Sequence, residues 1–233
     1  MSGDSRVRIM ARVRGASAGA DTEQIGAELE SFGVAPAAPL LHEDVRVAFM
    51  ARVLKNQGTL SIAADRSAAV RAVGQYTFEH LRSHRLVAGN DPHLAAMPWR
   101  DGSVLPRFGE LEPGEPVALS YARLGVAETG AVVTLTGKGN PAANNLLPER
   151  HIVLLEVDNI VPDLEALWSR LQSVLDREGR PRGINCVAGP SSTADVEATL
   201  VYGAHGPRAW HVVLLGDVDE EHLTTARAVA GLA

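Results

Sequence analysis

Cysteine is almost absent: the 233-residue chain carries one, Cys186. A lone thiol excludes a disulfide framework within the chain and any iron–sulfur cluster ligated by its own cysteines. Cys186 lies in the apolar run Gly183-Ile184-Asn185-Cys186-Val187-Ala188 and reads as a small buried hydrophobe inside a strand. Aromatics are scarce as well, at 4%, so a core drawn from 45% hydrophobic residues has to be built from Ala, Val, Leu and Ile. No apolar run approaches the length of a membrane span, and the N-terminus has no hydrophobic signal core, so the expected location is the cytoplasm. Positive charge is not in excess. A net charge of −6 argues against nucleic acid or an anionic membrane as partner. No grouping of His, Asp and Glu has metal-ligand spacing, and no metal is expected.

What is present is an alternation of short apolar strands with amphipathic helices. Strands are expected at Thr59–Ala63, Arg85–Ala88, Val117–Ala122, Ala131–Thr136, His151–Val157, Gly183–Ala188 and Trp210–Leu215. Helices are expected at Asp21–Phe32, Glu43–Asn56, Ser67–Leu81, Pro162–Gly179 and Asp219–Leu232. The clearest, Pro162–Gly179, puts Leu164, Leu167, Trp168, Leu171 and Leu175 on its buried stripe. Between Asn90 and Pro116 five prolines interrupt any period, and a connection of that length in a compact domain usually covers a site or moves. The pattern predicts an α/β fold, a mostly parallel sheet covered by helices. It occupies residues 21–233 as one domain, behind an arm over residues 1–20 that is flexible or helical and carries Arg6, Arg8, Arg12 and Arg14.

The stretch most suggestive of a site is Gly189-Pro190-Ser191-Ser192-Thr193-Ala194-Asp195-Val196-Glu197. After an apolar strand, its hydroxyls and its Asp195 and Glu197 predict a tight turn and a helix start near Ser192. The free N–H groups there suit a phosphate or a small carboxylate, or else Ser192 simply caps the helix. A second loop, Gly203-Ala204-His205-Gly206-Pro207-Arg208, holds one imidazole and one guanidinium.

Together these two loops resemble the C-terminal signature of the LUD-domain family of lactate-utilisation proteins, in its protein C branch. Ala127-Glu128-Thr129-Gly130 and Leu147-Pro148-Glu149-Arg150-His151-Ile152 extend the resemblance upstream. It implies a fold like that of NagB, RpiA and the CoA transferases. It also implies one component of a bacterial system that oxidises L-lactate to pyruvate beside partner proteins that carry iron–sulfur clusters. The chain would hold no cofactor itself. It lacks the extra cysteines of the cluster-bearing relatives, and Gly137-Lys138-Gly139-Asn140-Pro141 stands where those relatives have a Glu-Gly-Asn-Arg run.

Residue by residue, Ser191, Ser192, Thr193, Asp195 and Arg208 are the candidate anion- and substrate-binding groups, and Glu128 and His205 the candidate catalytic ones. Glu128, between an apolar strand and a glycine, is either a general base or nucleophile or a carboxylate bonded to its own turn. His205 has only small neighbours, which suits close approach of a ligand. Arg208 can clamp a carboxylate or pair with Asp195 or Glu197. His151 and His211 read as structural histidines, while Asn140, Asn144 and Asn145 either offer amides to a ligand or shape their loop. Two other functions stay open: an enzyme related to the CoA transferases that uses Glu128, and a non-catalytic structural or regulatory subunit. In open α/β sheets ligands lie beyond the carboxyl ends of the strands, where the turns at 125–130 and 189–195 can meet; the sequence leaves open whether the 203–208 loop lies at that same edge.

Overall fold

The structure is a computed structural model that describes residues 2–17, 21–33, 38–196 and 199–232. The chain divides into two compact units, Met1–Ala37 and Ala38–Ala233. The first holds helices α1 (Ser2–Ser17) and α2 (Thr22–Ser31), the latter capped by Asp21, whose carboxylate accepts from the N–H groups of Glu23 and Gln24.

The second unit is built on a six-stranded sheet. In chain order its strands are β1 (Thr59–Ala63), β2 (Arg85–Ala88), β3 (Leu105–Phe108), β4 (Val117–Ala122), β7 (Arg150–Glu156) and β12 (Ala209–Leu215). In space the order is β1-β12-β7-β4-β2-β3, and every adjacent pair is parallel. Because side chains alternate across a strand, each central strand feeds two cores. Val153, Leu155, Val212 and Leu214 pack on one face against Phe49 and Met50 of α3 (Val45–Lys55) and Leu223 of α8 (Glu220–Ala230). Ile152, Leu154, Val213 and Leu215 pack on the other against Val70, Val73 and Tyr76 of α4 (Arg66–Leu81), joined by Leu94 of the short helix α5 (Pro92–Ala95). Asp44, Asp65 and Asp219 cap the helices that follow them through backbone N–H groups.

A second sheet grows out of β4. It runs β8 (Ile160–Val161), β5 (Leu124–Val126), β6 (Ala131–Thr136), β9 (Gly183–Val187), with β5–β6 and β6–β9 antiparallel. Helix α7 (Leu164–Glu178) closes it, burying Leu167, Leu171 and Val174 against Leu124, Val126 and Val133. The stripe is thus rotated from the one expected, for Leu164 and Trp168 are 39% and 56% exposed. The helix begins after its cap Asp163, and it faces a small sheet that contacts a narrow strip of it, leaving the flank at Leu164 and Trp168 to solvent. Cys186 is also corrected. It sits in a strand, but β9 is the outer strand of its sheet and the thiol is exposed. Helix α6 (Ala142–Leu146) covers part of β4 and β7.

The largest correction concerns the stretch after Gly189. There is no helix at Ser192. Residues 192–196 form strand β10 (Ser192–Val196), paired antiparallel with β11 (Thr199–Tyr202) through Ser192↔Tyr202 and Thr193↔Val201. Thr193, Val196, Thr199 and Val201 are β-branched and fit a pleated ribbon better than a helix. Hydroxyl and acidic residues that resemble a cap gain nothing decisive once a partner strand supplies the backbone hydrogen bonds.

Candidate functional site

The two signature loops meet, at the end of the sheet opposite to the one considered for the 189–195 turn. The Ser191 N–H donates to Pro207 O (2.8 Å), and the Gly203 N–H donates to Ser191 O (2.8 Å). Arg208 N donates to Glu149 O (2.9 Å), immediately before β7 and β12 begin, so both loops lie at the amino edge of the parallel strands. Gly206 is packed against Ser191, where an added Cβ would come within 3.1 Å of the serine Cβ. Gly189 has φ +124, and a Cβ there would lie 2.6 Å from Asn56 O, so this turn takes a glycine for both backbone shape and space. A cavity of about 240 Å3 opens beside it, lined by Lys55, Asn56, Pro190, Ser192 and Tyr202 among others.

Within this group the side chains do not converge on one point. Ser192 and His205 are exposed, and Thr193 is half-buried in β10. Arg208 is exposed and pairs with Glu149 (3.4 Å). The side chain of Asp195 and all of Glu197 lie outside the described residues. With β10 in place of a helix, the row of free N–H groups and the helix field expected at Ser192 are absent.

Glu128 stands in a different place, on the turn between β5 and β6. Its Oε2 accepts from the Leu164 N–H (3.2 Å) at the start of α7, and its own carbonyl accepts from Arg52 Nε (2.9 Å). Asn56 ties the same turn to α3 by donating to Thr129 O (2.8 Å). Gly130 is needed here, since its φ is +70 and a Cβ would meet Arg52 at 2.8 Å. The carboxylate therefore stands at the α7 N-terminus, where it accepts a backbone hydrogen bond.

His151 and His211 are buried within the sheet. His151 Nε2 lies 3.1 Å from Ser120 Oγ, which donates to Asn145 Oδ1 (2.7 Å), and burial pushes the imidazole pKa down to about 3. His211 Nδ1 lies 2.8 Å from Thr59 Oγ1 and its ring stacks on Tyr76 at 4.1 Å. Burial, then the nearby His80 charge, also holds its pKa at about 3. Both rings are neutral at ordinary pH.

A charged cluster that no sequence motif signalled occupies the carboxyl edge. Asp91 follows β2 by three residues and Arg123 follows β4 directly; Asp91 Oδ2 and Arg123 Nη2 are 3.1 Å apart with both side chains largely buried. His93 Nδ1 lies 2.9 Å from Asp91 Oδ1 and 3.0 Å from Arg123 Nη1, and its ring stacks on Tyr121 at 4.2 Å. Burial, and then the Glu156 carboxylate bonded to it, raise the Tyr121 phenol above its ordinary pKa. The position of this cluster follows from topology. From β2 the chain moves outward to β3, whereas from β4 it eventually enters β7 on the other side. Adjacent strands whose chains leave in opposite directions open a crevice at their carboxyl ends, the usual ligand position in such sheets. A cavity of about 290 Å3 lies there, bounded by Asp91, Arg123, Thr136, Gly139, Asn140 and Arg180 among others. A wider groove of about 690 Å3 runs along β2 and β3, but its Arg107–Glu115 pair is more exposed and the groove lies away from the switch point. Among the described residues, no group of three or more His, Cys, Asp or Glu is placed to hold a metal ion, and no helix is long and apolar enough to cross a membrane.

Comparison with known proteins bears on the second half of the chain. Residues 116–215 match the LUD domain. Lactate utilization protein C of an Exiguobacterium species is 30% identical over 150 residues, which are 60% of this chain and 65% of that protein. The protein of that name from Halalkalibacterium halodurans is 35% identical over 100 residues, 42% of this chain and 44% of the relative. The uncharacterized protein YkgG of Escherichia coli is 38% identical over 92 residues, 39% and 40% of the two chains. The matched regions thus span less than two-thirds of the length of these relatives. A crystal structure of a duf162 family protein from Deinococcus radiodurans has the same fold, with a TM-score of 0.54, 22% identity, and coverage of 76% of this chain and 100% of that one.

Proposed function

We propose that this chain, a member of the LUD-domain family through residues 116–215, is the component of a lactate-utilisation system that binds a small carboxylate and holds no redox cluster of its own. The name shared by its relatives supports the process. The single cysteine supports the division of labour, because electrons removed from a substrate would have to pass to partner proteins carrying iron–sulfur clusters. The observation that carries the binding role is the buried Asp91–Arg123 pair at the switch-point crevice, beside an open cavity large enough for a small acid. Charged groups are brought out of water at some cost, and one that borders a cavity can accept a ligand's charge as a further partner. In this reading the amino-edge loops with Ser191, His205 and Arg208 face a partner protein.

Calorimetry of the full chain with L-lactate, pyruvate and propionate tests the binding role. Saturable binding that weakens at least tenfold in Arg180→Ala is expected, since that residue is exposed and its loss leaves the fold intact. A chain that binds none of these acids at millimolar concentration refutes the reading. Deletion of the gene should also abolish growth on lactate without affecting growth on a sugar.

A further inference from the structure

Arg150 opens β7 in the middle of the six-stranded sheet, and its side chain reaches Tyr76 near the carboxyl end of α4. The residue is half-buried, yet its guanidinium is thinly bonded. Nη1 donates to the Tyr76 hydroxyl over a long 3.4 Å, Nε is buried without a partner, and Nη2 has no partner but reaches solvent. Among the described residues no carboxylate pairs with this cation. The field at the carboxyl end of a helix favours a positive charge, but Arg150 donates to none of the described α4 carbonyls. A guanidinium drawn part-way out of water loses hydration that an anionic partner normally returns.

The groups around Arg150 are donors too. Tyr76, 6% exposed, accepts from Arg150, and among the described residues nothing takes its own hydroxyl proton. His80 lies against the same ring, with centroids 4.4 Å apart, and neither of its nitrogens is hydrogen-bonded to a described residue. Burial, and then the Arg150 charge, lower the His80 pKa, so the two basic groups stand close enough to repel. Glu79 acts on His80 in the opposite sense, but its carboxylate is exposed and already accepts from Gln75 (2.8 Å). On the other side of Tyr76, His211 is tied to Thr59. Past Tyr76 and His80 a cavity of about 230 Å3 continues toward Thr59 and Ser61, with room for a small polar body. We infer that Arg150, Tyr76 and His80 form an oxyanion site at the amino edge, where a phosphate or carboxylate group accepts from Arg150 Nη2 and the Tyr76 hydroxyl with His80 beside it. The site lies at the opposite edge from the crevice above, and it stands or falls independently of the small-carboxylate reading.

Calorimetric titration of the full chain with inorganic phosphate and with acetate, at an ionic strength held constant with chloride, tests the site. At least one of the two should bind saturably at millimolar concentration, and the one that binds names the class of anion. That binding should weaken at least tenfold in Arg150→Gln, which removes a charge-assisted hydrogen bond, and about fivefold in Tyr76→Phe, which keeps the ring between the two imidazoles and removes one neutral donor. Thermal unfolding without anion shows whether each variant is folded. In the unmodified chain the saturating anion should also raise the His80 pKa in an NMR titration, because a negative charge beside the ring favours its protonated form. No saturable binding of either anion, binding that folded Arg150→Gln or folded Tyr76→Phe leaves at full strength, or a His80 pKa that the anion does not move, overturns the site. None of these results touches lactate binding at the carboxyl edge, which Arg180→Ala reports separately.

Discussion

Acid should unfold this protein in a window set by two histidines. His151 and His211 are 0% and 3% exposed, and burial holds each imidazole neutral, with a pKa near 3 in place of the ordinary 6.5. In the unfolded chain both rings take a proton as pH falls through 6.5, whereas in the fold neither does until about pH 3. The unfolded state therefore binds more protons across that interval. Stability is full above pH 6.5 and is lost as pH falls. Each ring should cost about 1.4 kcal/mol between pH 7.5 and 5.5, and the two about 3 kcal/mol, a large share of a typical folding free energy. His80, whose pKa is also lowered by burial, acts in the same direction. Asp44, held at about 2 by its hydrogen bonds to Arg46, gives up its contribution only below its ordinary value of 3.8 and leaves this window clear. Urea unfolding at half-unit steps of pH measures the slope directly, and His151→Gln and His211→Gln should each remove close to half of it. A free energy of unfolding that stays flat from pH 7.5 to 5.5, or a slope that neither substitution changes, would mean the two rings reach solvent or a proton acceptor that the fold does not supply.

Three further outcomes test the packing and the turns. Leu171→Ala, in the core between α7 and the second sheet, should cost roughly 2–5 kcal/mol, and Trp168→Ala on the exposed flank clearly less; the reverse order in denaturant unfolding would put the wrong face of α7 inward. Gly89→Ala should cost about 1–3 kcal/mol because its Cβ would displace the Gly139 carbonyl, and a change under about 0.5 kcal/mol would show that the 137–140 turn is not seated on the end of β2. Glu128→Gln keeps an acceptor for the Leu164 N–H and should stay within about 0.5 kcal/mol of wild type. Acyl exchange with acyl-CoA that is present in wild type and lost in this variant would instead identify Glu128 as a nucleophile.

Local pattern carried most of the fold. The runs at Thr59–Ala63, Arg85–Ala88, Val117–Ala122 and Trp210–Leu215 are strands with the bounds expected to within a residue; for Val117–Ala122 and Trp210–Leu215 the reason is that strands buried on both faces need nearly continuous apolar sequence. The helices at α3, α4, α7 and α8 follow for the same reason, their apolar residues recurring at helical spacing behind an aspartate cap. The likeness to the LUD domain over residues 116–215 was legible as well, since the residues that carry it are neighbours in the chain. Tertiary structure alone decided what depends on partners far along the chain. The 192–196 segment is a strand because β11 lies across from it, and no local cue outweighs a row of cross-strand hydrogen bonds. Trp168 faces solvent because the sheet beneath α7 is small, and Cys186 is exposed because β9 is an outer strand. The 189–196 segment lies at the amino edge because Ser191 bonds across to Pro207 and Gly203 of the loop that leads into β12, a pairing its own sequence does not specify. Asp91, Arg123 and Asn140 fall in three separate stretches without a motif, and they face one cavity only because β2 and β4, distant in sequence, lie side by side where the chain reverses direction across the sheet.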